Sequence, residues 1–212
     1  MVAELARAWV AGWSVSRGTP APVEEPWGLR IEVGLPNHVT RHVLPTADES
    51  TVRALAGSVS TPGTWIKAFV PPETLGGWLS PDWTPSEPVF LMSTDLRPGA
   101  TRAPVGYTLT ADTSRGVTRV RVTAADGSAA ARGQVATVGA AAVIDQIVTE
   151  PDHQRRGLGT VVMRSLANTA LAQGATLGVL GASIEGRALY ESLGWAVRAP
   201  LAGFVYRSTE PR

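Results

Sequence analysis

The sequence predicts a mixed α/β fold, in which a mixed sheet flanked by helices follows a smaller N-terminal α/β subdomain. Two observations carry this prediction. In the second half, segments of period two give way to a helix-period segment, a short apolar run, another helix and a last strand, an order that puts helices on the faces of a sheet. Hydrophobic residues fill 44% of the 212 positions beside 22 Gly and 16 Pro, the composition of a folded, turn-rich chain of one sizeable domain or two small ones.

Each element has its own warrant. In residues 1–15, Leu5, Trp9 and Trp13 recur at i, i+4 and i+8, which predicts a short helix. A Pro-rich connector covers 19–26. Residues 29–33 alternate like a strand and 41–44 read as its partner. Thr46, with Glu49 three positions later, predicts a capping box that opens a helix through about residue 59. Strands are predicted at 64–70, stopped by Pro71 and Pro72, and at 89–93. Pro81, Pro85 and Pro88 predict an irregular loop between them. Further strands are predicted at 105–111, 117–124, 129–138 and 141–149. Asp126-Gly127 supplies a hairpin turn, because both residues tolerate positive φ. From 157 to 172, Leu158, Val161, Val162, Leu166 and Ala170 follow helical spacing, and Gly174 is the stop. A strand at 177–180, a helix at 185–193 ended by Gly194, and a strand or hairpin at 195–205 complete the chain. No repeat of 20–50 residues is visible.

Composition closes several functional classes. The chain has no cysteine, which excludes disulfide scaffolds, cysteine-ligated zinc or iron–sulfur sites and a cysteine nucleophile. Its three histidines, His38, His42 and His153, are widely spread, so no metal site is expected. A net charge of +1 points to neither nucleic acid nor an anionic membrane as partner. Residues 1–96 carry six basic against ten acidic side chains, and residues 97–212 thirteen against eight. The C-terminal excess would welcome an anionic ligand, unless it reflects only arginine-rich codon usage, since all basic residues but Lys67 are Arg. The N-terminus does not read as a signal peptide. The uncharged stretch 165–184 contains Asn168 and Gln173 and reads as a helix end followed by a strand, so a cytoplasmic protein is expected.

The chemistry concentrates in one stretch, Ile147-Val148-Thr149-Glu150-Pro151-Asp152-His153-Gln154-Arg155-Arg156-Gly157-Leu158-Gly159-Thr160. A strand, a Pro-bearing turn, a basic pair and two glycines lead into a helix whose first N–H groups are unpaired. Together with the helix dipole this makes an anion site. Gly157 and Gly159 let main chain approach a bulky anion, Arg155 and Arg156 offer charge-assisted hydrogen bonds, and Thr160 adds a hydroxyl. No Gly-Lys pair exists for a Walker A loop. Gly157-Leu158-Gly159 continues to Val162 instead of the glycine a dinucleotide fingerprint requires, and Gly181-Ala182-Ser183-Ile184 is not a nucleophile elbow.

Gln154-Arg155-Arg156-Gly157-Leu158-Gly159 resembles the [Q/R]-x-x-G-x-[G/A] signature of the GNAT superfamily of acyl-CoA-dependent N-acyltransferases. Ile147-x-Thr149-x-Pro151 resembles that family's fourth strand, and Ala188-Leu189-Tyr190-Glu191-Ser192-Leu193-Gly194-Trp195 its A-L-Y-x-x-L-G-[F/W] helix; the likeness runs over about 117–197. The resemblance implies that acetyl-CoA, or another acyl-CoA, places its pyrophosphate on the N–H groups of Arg156 to Thr160. Its pantetheine would run along main chain of Ile147 and Thr149, and an N–H near Val148 or Thr149 would polarise the thioester carbonyl. Gln154 and Ser183 join the expected cofactor-binding set, although Ser183 stands where the family often has Asn and Gly186 where Ala is common. An amine acceptor would attack directly. Tyr190 is either the general acid for the departing thiolate or a tyrosine packing helix on sheet. Asp145, Glu150 and His153 are candidate bases, none of them assignable from sequence. A non-catalytic acyl-CoA-binding module remains the alternative, and a homodimer remains open.

Six of the seven tryptophans fall in residues 1–96, as core packing or as an aromatic substrate pocket. Residues 1–97 are expected to form an N-terminal α/β subdomain. It either supplies the family's missing first elements by an unusual route or is a degenerate acyltransferase-like unit; residues 98–212 would be the N-acetyltransferase domain. The acidic balance of the N-terminal half suggests an acceptor site that favours a cationic amine.

Overall fold

The structure, a computed structural model, describes residues 1–207. In chain order the elements are α1 (Val2–Arg17), β1 (Val23–Glu25), β2 (Gly28–Leu35), β3 (His38–Leu44), α2 (Glu49–Ser58), β4 (Trp65–Ala68), α3 (Pro72–Gly77), β5 (Trp83–Pro85) and β6 (Val89–Asp95). There follow β7 (Tyr107–Ser114), β8 (Val117–Ala124), β9 (Ala129–Val138), β10 (Ala141–Thr149), a 3-10 turn (Pro151–His153), α4 (Leu158–Ala172), β11 (Leu177–Ser183), α5 (Ile184–Ser192) and β12 (Ala196–Tyr206). All strands join one mixed sheet in the order β1-β2-β3-β4-β12-β6-β11-β10-β9-β8-β7, with β5 beside β12. The fold is therefore the mixed α/β class that the alternation of periods predicts. None of the described helices is long and apolar enough to cross a membrane.

Two strand pairs are parallel, β3 with β4 and β10 with β11. Each pair is joined by a helix, α2 and α4, because a parallel connection needs a crossover. β12 spans the two groups, pairing β6 through Ala196–Leu201 and β4 through Ala202–Val205.

Helices α2 to α5 cover one face and α1 the other. Val120, Val122, Ile144, Leu158, Val162, Leu166 and Leu180 form the core beneath α4 and α5, and Leu44, Val52, Ile66, Leu75 and Phe204 that beneath α2 and α3. On the opposite face Leu5, Trp9, Val10 and Trp13 of α1 meet Val43, Leu91, Val143, Val179 and Leu201. The predicted i, i+4, i+8 stripe is thus the buried stripe of α1. Gly12 lies directly on the Val143 side chain, so that helix and sheet approach closely there. The end of α1 is fixed by polar bonds: Arg17 donates to both Asp145 oxygens at 2.5 and 3.0 Å, and Ser16 Oγ lies 3.2 Å from Asp145 Oδ2. Buried Gln134 donates to the Ser16 carbonyl and hydroxyl, both at 2.7 Å.

Two local expectations are corrected. The N-cap of α2 is Asp48, not Thr46. Its carboxylate accepts from the Thr51 N–H at 2.9 Å, from Thr51 Oγ1 at 2.8 Å and from Ser50 Oγ at 2.6 Å, while Glu49 pairs with Arg53 at 2.8 Å. These bonds, Ser50 first, pull the Asp48 pKa down to about 2. A carboxylate one residue ahead of the helix accepts better than a neutral hydroxyl two residues further out. The supposed loop from 71 to 88 contains α3 and β5. Pro72 starts α3, where the missing N–H costs nothing, and Pro85 ends a short strand along β12.

Gly133→Ala tests the packing between β9 and α4, because a Cβ there would collide with Ile147 and come within 2.8 Å of Val162 Cγ1. Urea unfolding should show a loss of about 1–3 kcal/mol. Asp145→Asn should loosen the α1 end and lower stability by about 1 kcal/mol, a modest figure because Arg17 is partly solvated; thermal unfolding reads it.

Candidate active site

The parallel pairing of β10 with β11 covers only Ala141–Val143 against Leu177–Val179. Beyond Val143 the two strands part, and their facing edges carry no ladder bonds. The cause lies in β10, whose register on β9 jumps between Asp145 and Val148. Gln146 at the jump has φ of 55°, and its N–H donates to Asp145 Oδ1 at 2.9 Å. A bulge bends and twists a strand, here away from β11. The main chain of Ile147, Val148 and Thr149 borders the resulting gap, and the Ile147 side chain packs against Gly133 beneath α4.

The turn that follows brings the strand end to the start of α4. Arg155 and Gly157 have φ of 60° and 77°. Arginine there is uncommon; glycine meets the requirement at no steric cost. Gly157 is the N-cap of α4 and makes no side-chain cap bond, so the N–H groups of the first turn, through Thr160, lack intrahelical partners. Gly159 sits at a close approach, where a Cβ would lie 2.8 Å from Leu189 of α5 and 3.7 Å from Thr149 Oγ1. Strand end, helix start and α5 therefore converge.

The two arginines divide. Arg156 bends back onto the turn, donating to the Asp152 carbonyl at 3.1 Å and to the Tyr107 hydroxyl at 3.0 Å, while Arg155 makes no side-chain bond among the described residues. Gln154 Nε2 lies 3.5 Å from the Thr149 carbonyl. Leu158 is a core side chain, so its place in the motif serves packing. Ser183 caps α5, accepting from the Gly186 N–H at 3.1 Å.

Tyr190 of α5 is 8% exposed, in the core beside Trp195, with ring centroids 6.4 Å apart. Its hydroxyl has no hydrogen-bond partner among the described residues and is not sealed from solvent. Burial, and next the charge of Asp145, pushes its pKa up to about 12, so it remains a proton donor. Glycine at 186 makes room for the ring, since a Cβ there would stand 3.0 Å from Tyr190 Cε2. The three candidate bases are all engaged: Asp145 with Arg17, Glu150 with Arg132 at 2.9 Å, and His153 Nδ1 with the Tyr107 hydroxyl at 3.1 Å. Tyr107 therefore joins Arg156 and His153, a placement that no motif marks. No cluster of three or more His, Asp or Glu side chains suited to a metal occurs among the described residues.

The acetyltransferase (GNAT) family profile matches residues 93–195, which span β6 to the start of β12. A GCN5-related N-acetyltransferase from Kribbella flavida superposes with a TM-score of 0.68 at 16% identity, covering 98% of this chain and 96% of that one. A protein assigned to the GNAT acetyltransferases from Novosphingobium aromaticivorans gives a TM-score of 0.60 at 18% identity, covering 96% and 99%. A tandem GNAT protein of the clavulanic acid biosynthesis pathway gives 0.55 at 16% identity, covering 76% and 68%. Comparison with curated proteins finds no match. The strand gap, the glycine turn and the helix start all lie inside the matched segment, so residues 93–195 are the part of this chain that matches an acetyltransferase domain of the GNAT family.

Proposed function

We propose that this protein is a cytoplasmic N-acetyltransferase, which moves an acetyl group from acetyl-CoA to a primary amine of a small molecule or peptide by direct attack. The observation that carries the reading is the unpaired edge of β10 beyond Val143, leading through Gly157 into the free N–H groups of α4. Residues 98–212 would hold the donor and residues 1–97 shape the acceptor side; neither metal, nucleic acid nor membrane takes part.

The N–H groups of Arg156, Gly157, Leu158, Gly159 and Thr160 would hold the diphosphate, with Gln154 and Arg155 at its rim. This fits the local geometry, because Gly157 caps α4 without a side chain and the first N–H groups of the helix lack intrahelical partners. Ile147 and Thr149 would bond the pantetheine amides through their main chain, and Ser183 borders the same gap from β11. An N–H of Val148 or Thr149 would polarise the thioester carbonyl, an interaction worth about 3–4 kcal/mol at the transition state when preorganised. Bound acetyl-CoA supplies the activated acyl group. Tyr190 would release its phenolic proton to the departing thiolate as the N–C bond forms and the C–S bond breaks, then recover a proton lost by the amine through solvent.

Acetyl-CoA at 100 times its Kd should stabilise the chain by about 2.7 kcal/mol, visible as a rise in Tm; no rise would remove the donor site. Tyr190→Phe should lower kcat by about 100-fold with acetyl-CoA affinity little changed, and an unaltered kcat would leave Tyr190 a packing residue. The raised pKa of Tyr190 keeps it protonated, so wild-type kcat should show no alkaline decline from this group below the ordinary phenol range of about 10. Acetyl-CoA binding with no free-thiol release across an amine panel would favour the binding-module alternative.

A further inference from the structure

On the α1 face, at the end of the sheet where β10 and β11 part, two buried cations stand without a carboxylate partner. Arg41 of β3 and Lys67 of β4 are each 8% exposed. The register β3/β4 places Arg41 opposite Trp65 and Lys67 opposite Val43, so the two charges share one face. Arg41 Nε donates to His38 Nε2 at 3.1 Å, and its guanidinium lies 3.9 Å from the Trp13 ring. Neither Arg41 Nη atom and not Lys67 Nζ has a hydrogen-bond partner among the described residues, yet none of the three is sealed from solvent. Asp145, the one carboxylate whose charge acts on Arg41, is already bonded to Arg17 and Ser16.

Glycine gives the nearby side chains their room. Lys67 lies over Gly203 of β12, where a Cβ would collide with it, and at Gly181 of β11 a Cβ would stand 3.3 Å from Val89 and 3.7 Å from the Trp9 ring. Trp9 links the two regions: its ring lies 3.7 Å from the Cβ position of Gly181 and 6.0 Å from the Arg41 guanidinium. β12 stands two strands from β11, a separation of about 10 Å.

Resting on the acetyl-transfer reading above, we propose that Arg41 and Lys67 form the acceptor's anion site: the amine acceptor carries a carboxylate or phosphate remote from its reacting nitrogen, and Arg41 and Lys67 bind that oxyanion. A buried cation without a counter-charge is costly, and a guanidinium fork beside an ammonium matches an oxyanion with several charge-assisted bonds. The neighbourhood agrees. Burial, then Arg17, lowers the Arg41 pKa to about 9, and burial, then Arg41, lowers that of Lys67 to about 7. A bound anion would relieve both. Three acidic side chains of the neighbouring β1 and β2 are already paired, Glu24 with Arg7 and Glu25 and Glu32 with Arg30.

Two measurements on the full chain test the proposal. In thermal unfolding without acyl donor, glutarate or inorganic phosphate should raise the Tm of wild type, the larger rise identifying carboxylate or phosphate as the better partner. Lys67→Met, which removes a buried charge and should fold, should lose this response; Arg41→Lys, which keeps the charge without the fork, should retain only part of it. In acetylation assays with amines of equal length ending in carboxylate, phosphate or neutral amide, wild type should favour an anionic amine by about tenfold or more in kcat/KM, and Lys67→Met should not. A Tm unmoved by both anions, an equal rise in Lys67→Met, or equal rates for anionic and amide acceptors would overturn the proposal. Anion response without any acetyl-CoA response would uphold the anion site and remove the transferase reading instead.

Discussion

Everything that bears on chemistry here depends on β10 leaving β11 after Val143. A longer parallel ladder would satisfy the main chain of both strands and leave nothing for a ligand. Its interruption is enforced. The bulge puts Gln146 at positive φ, an arrangement that costs about 1–3 kcal/mol. The Asp145 carboxylate offsets that cost by accepting from Gln146 while Arg17 and Ser16 hold it from above. The helix at the start of the chain thus stabilises a kink that lies more than a hundred residues later. It is part of the site's scaffold as well as a cover for one face.

The other side of the gap is set by packing. Glycine at 133 lets Ile147, Val162 and Leu166 close over β9, which seats α4 against the sheet. Glycine at 159 lets the first turn of α4 approach Thr149 and Leu189. With Leu158 in the core, the start of α4 has little freedom to drift from the strand end. Preorganised main-chain donors are effective because no reorganisation is needed when an anion arrives. The same device recurs on the α1 face, where the missing side chain of Gly203 gives Lys67 its place and Gly181 lies against Val89 and Trp9.

Much of this was legible in the residues. The amphipathic stripe of α1, the Asp126-Gly127 turn and the periods of β8, β9, β10 and α4 are local signals, and each formed within a few residues of its expected bounds. Helix α2 began elsewhere because Asp48 competes with Thr46 for the same N–H groups, and α3 was hidden by a proline density that reads as breakage. The turn from Gln154 to Thr160 could be read because its chemistry lies in consecutive main chain. The meeting of Arg41 and Lys67 could not. Their faces depend on the register of β3, β4 and β12, and β12 lies more than a hundred residues beyond them. Charge totals mislead for the same reason: Glu24, Glu25 and Glu32 pair with Arg7 and Arg30, whereas Arg41 and Lys67 are buried without a carboxylate partner.

The position of β12 has a consequence for how the molecule comes into being. It is the last in chain order of the described strands, yet it lies between β4 and β6 and joins both. Until residues 196–206 emerge, β4 and β6 each present a bare hydrogen-bonding edge, and the first four strands have no ladder to the rest. The nascent chain must therefore hold two half-sheets apart from other polypeptides until β12 arrives, and that long-range closure should make assembly slow relative to its local helices and hairpins.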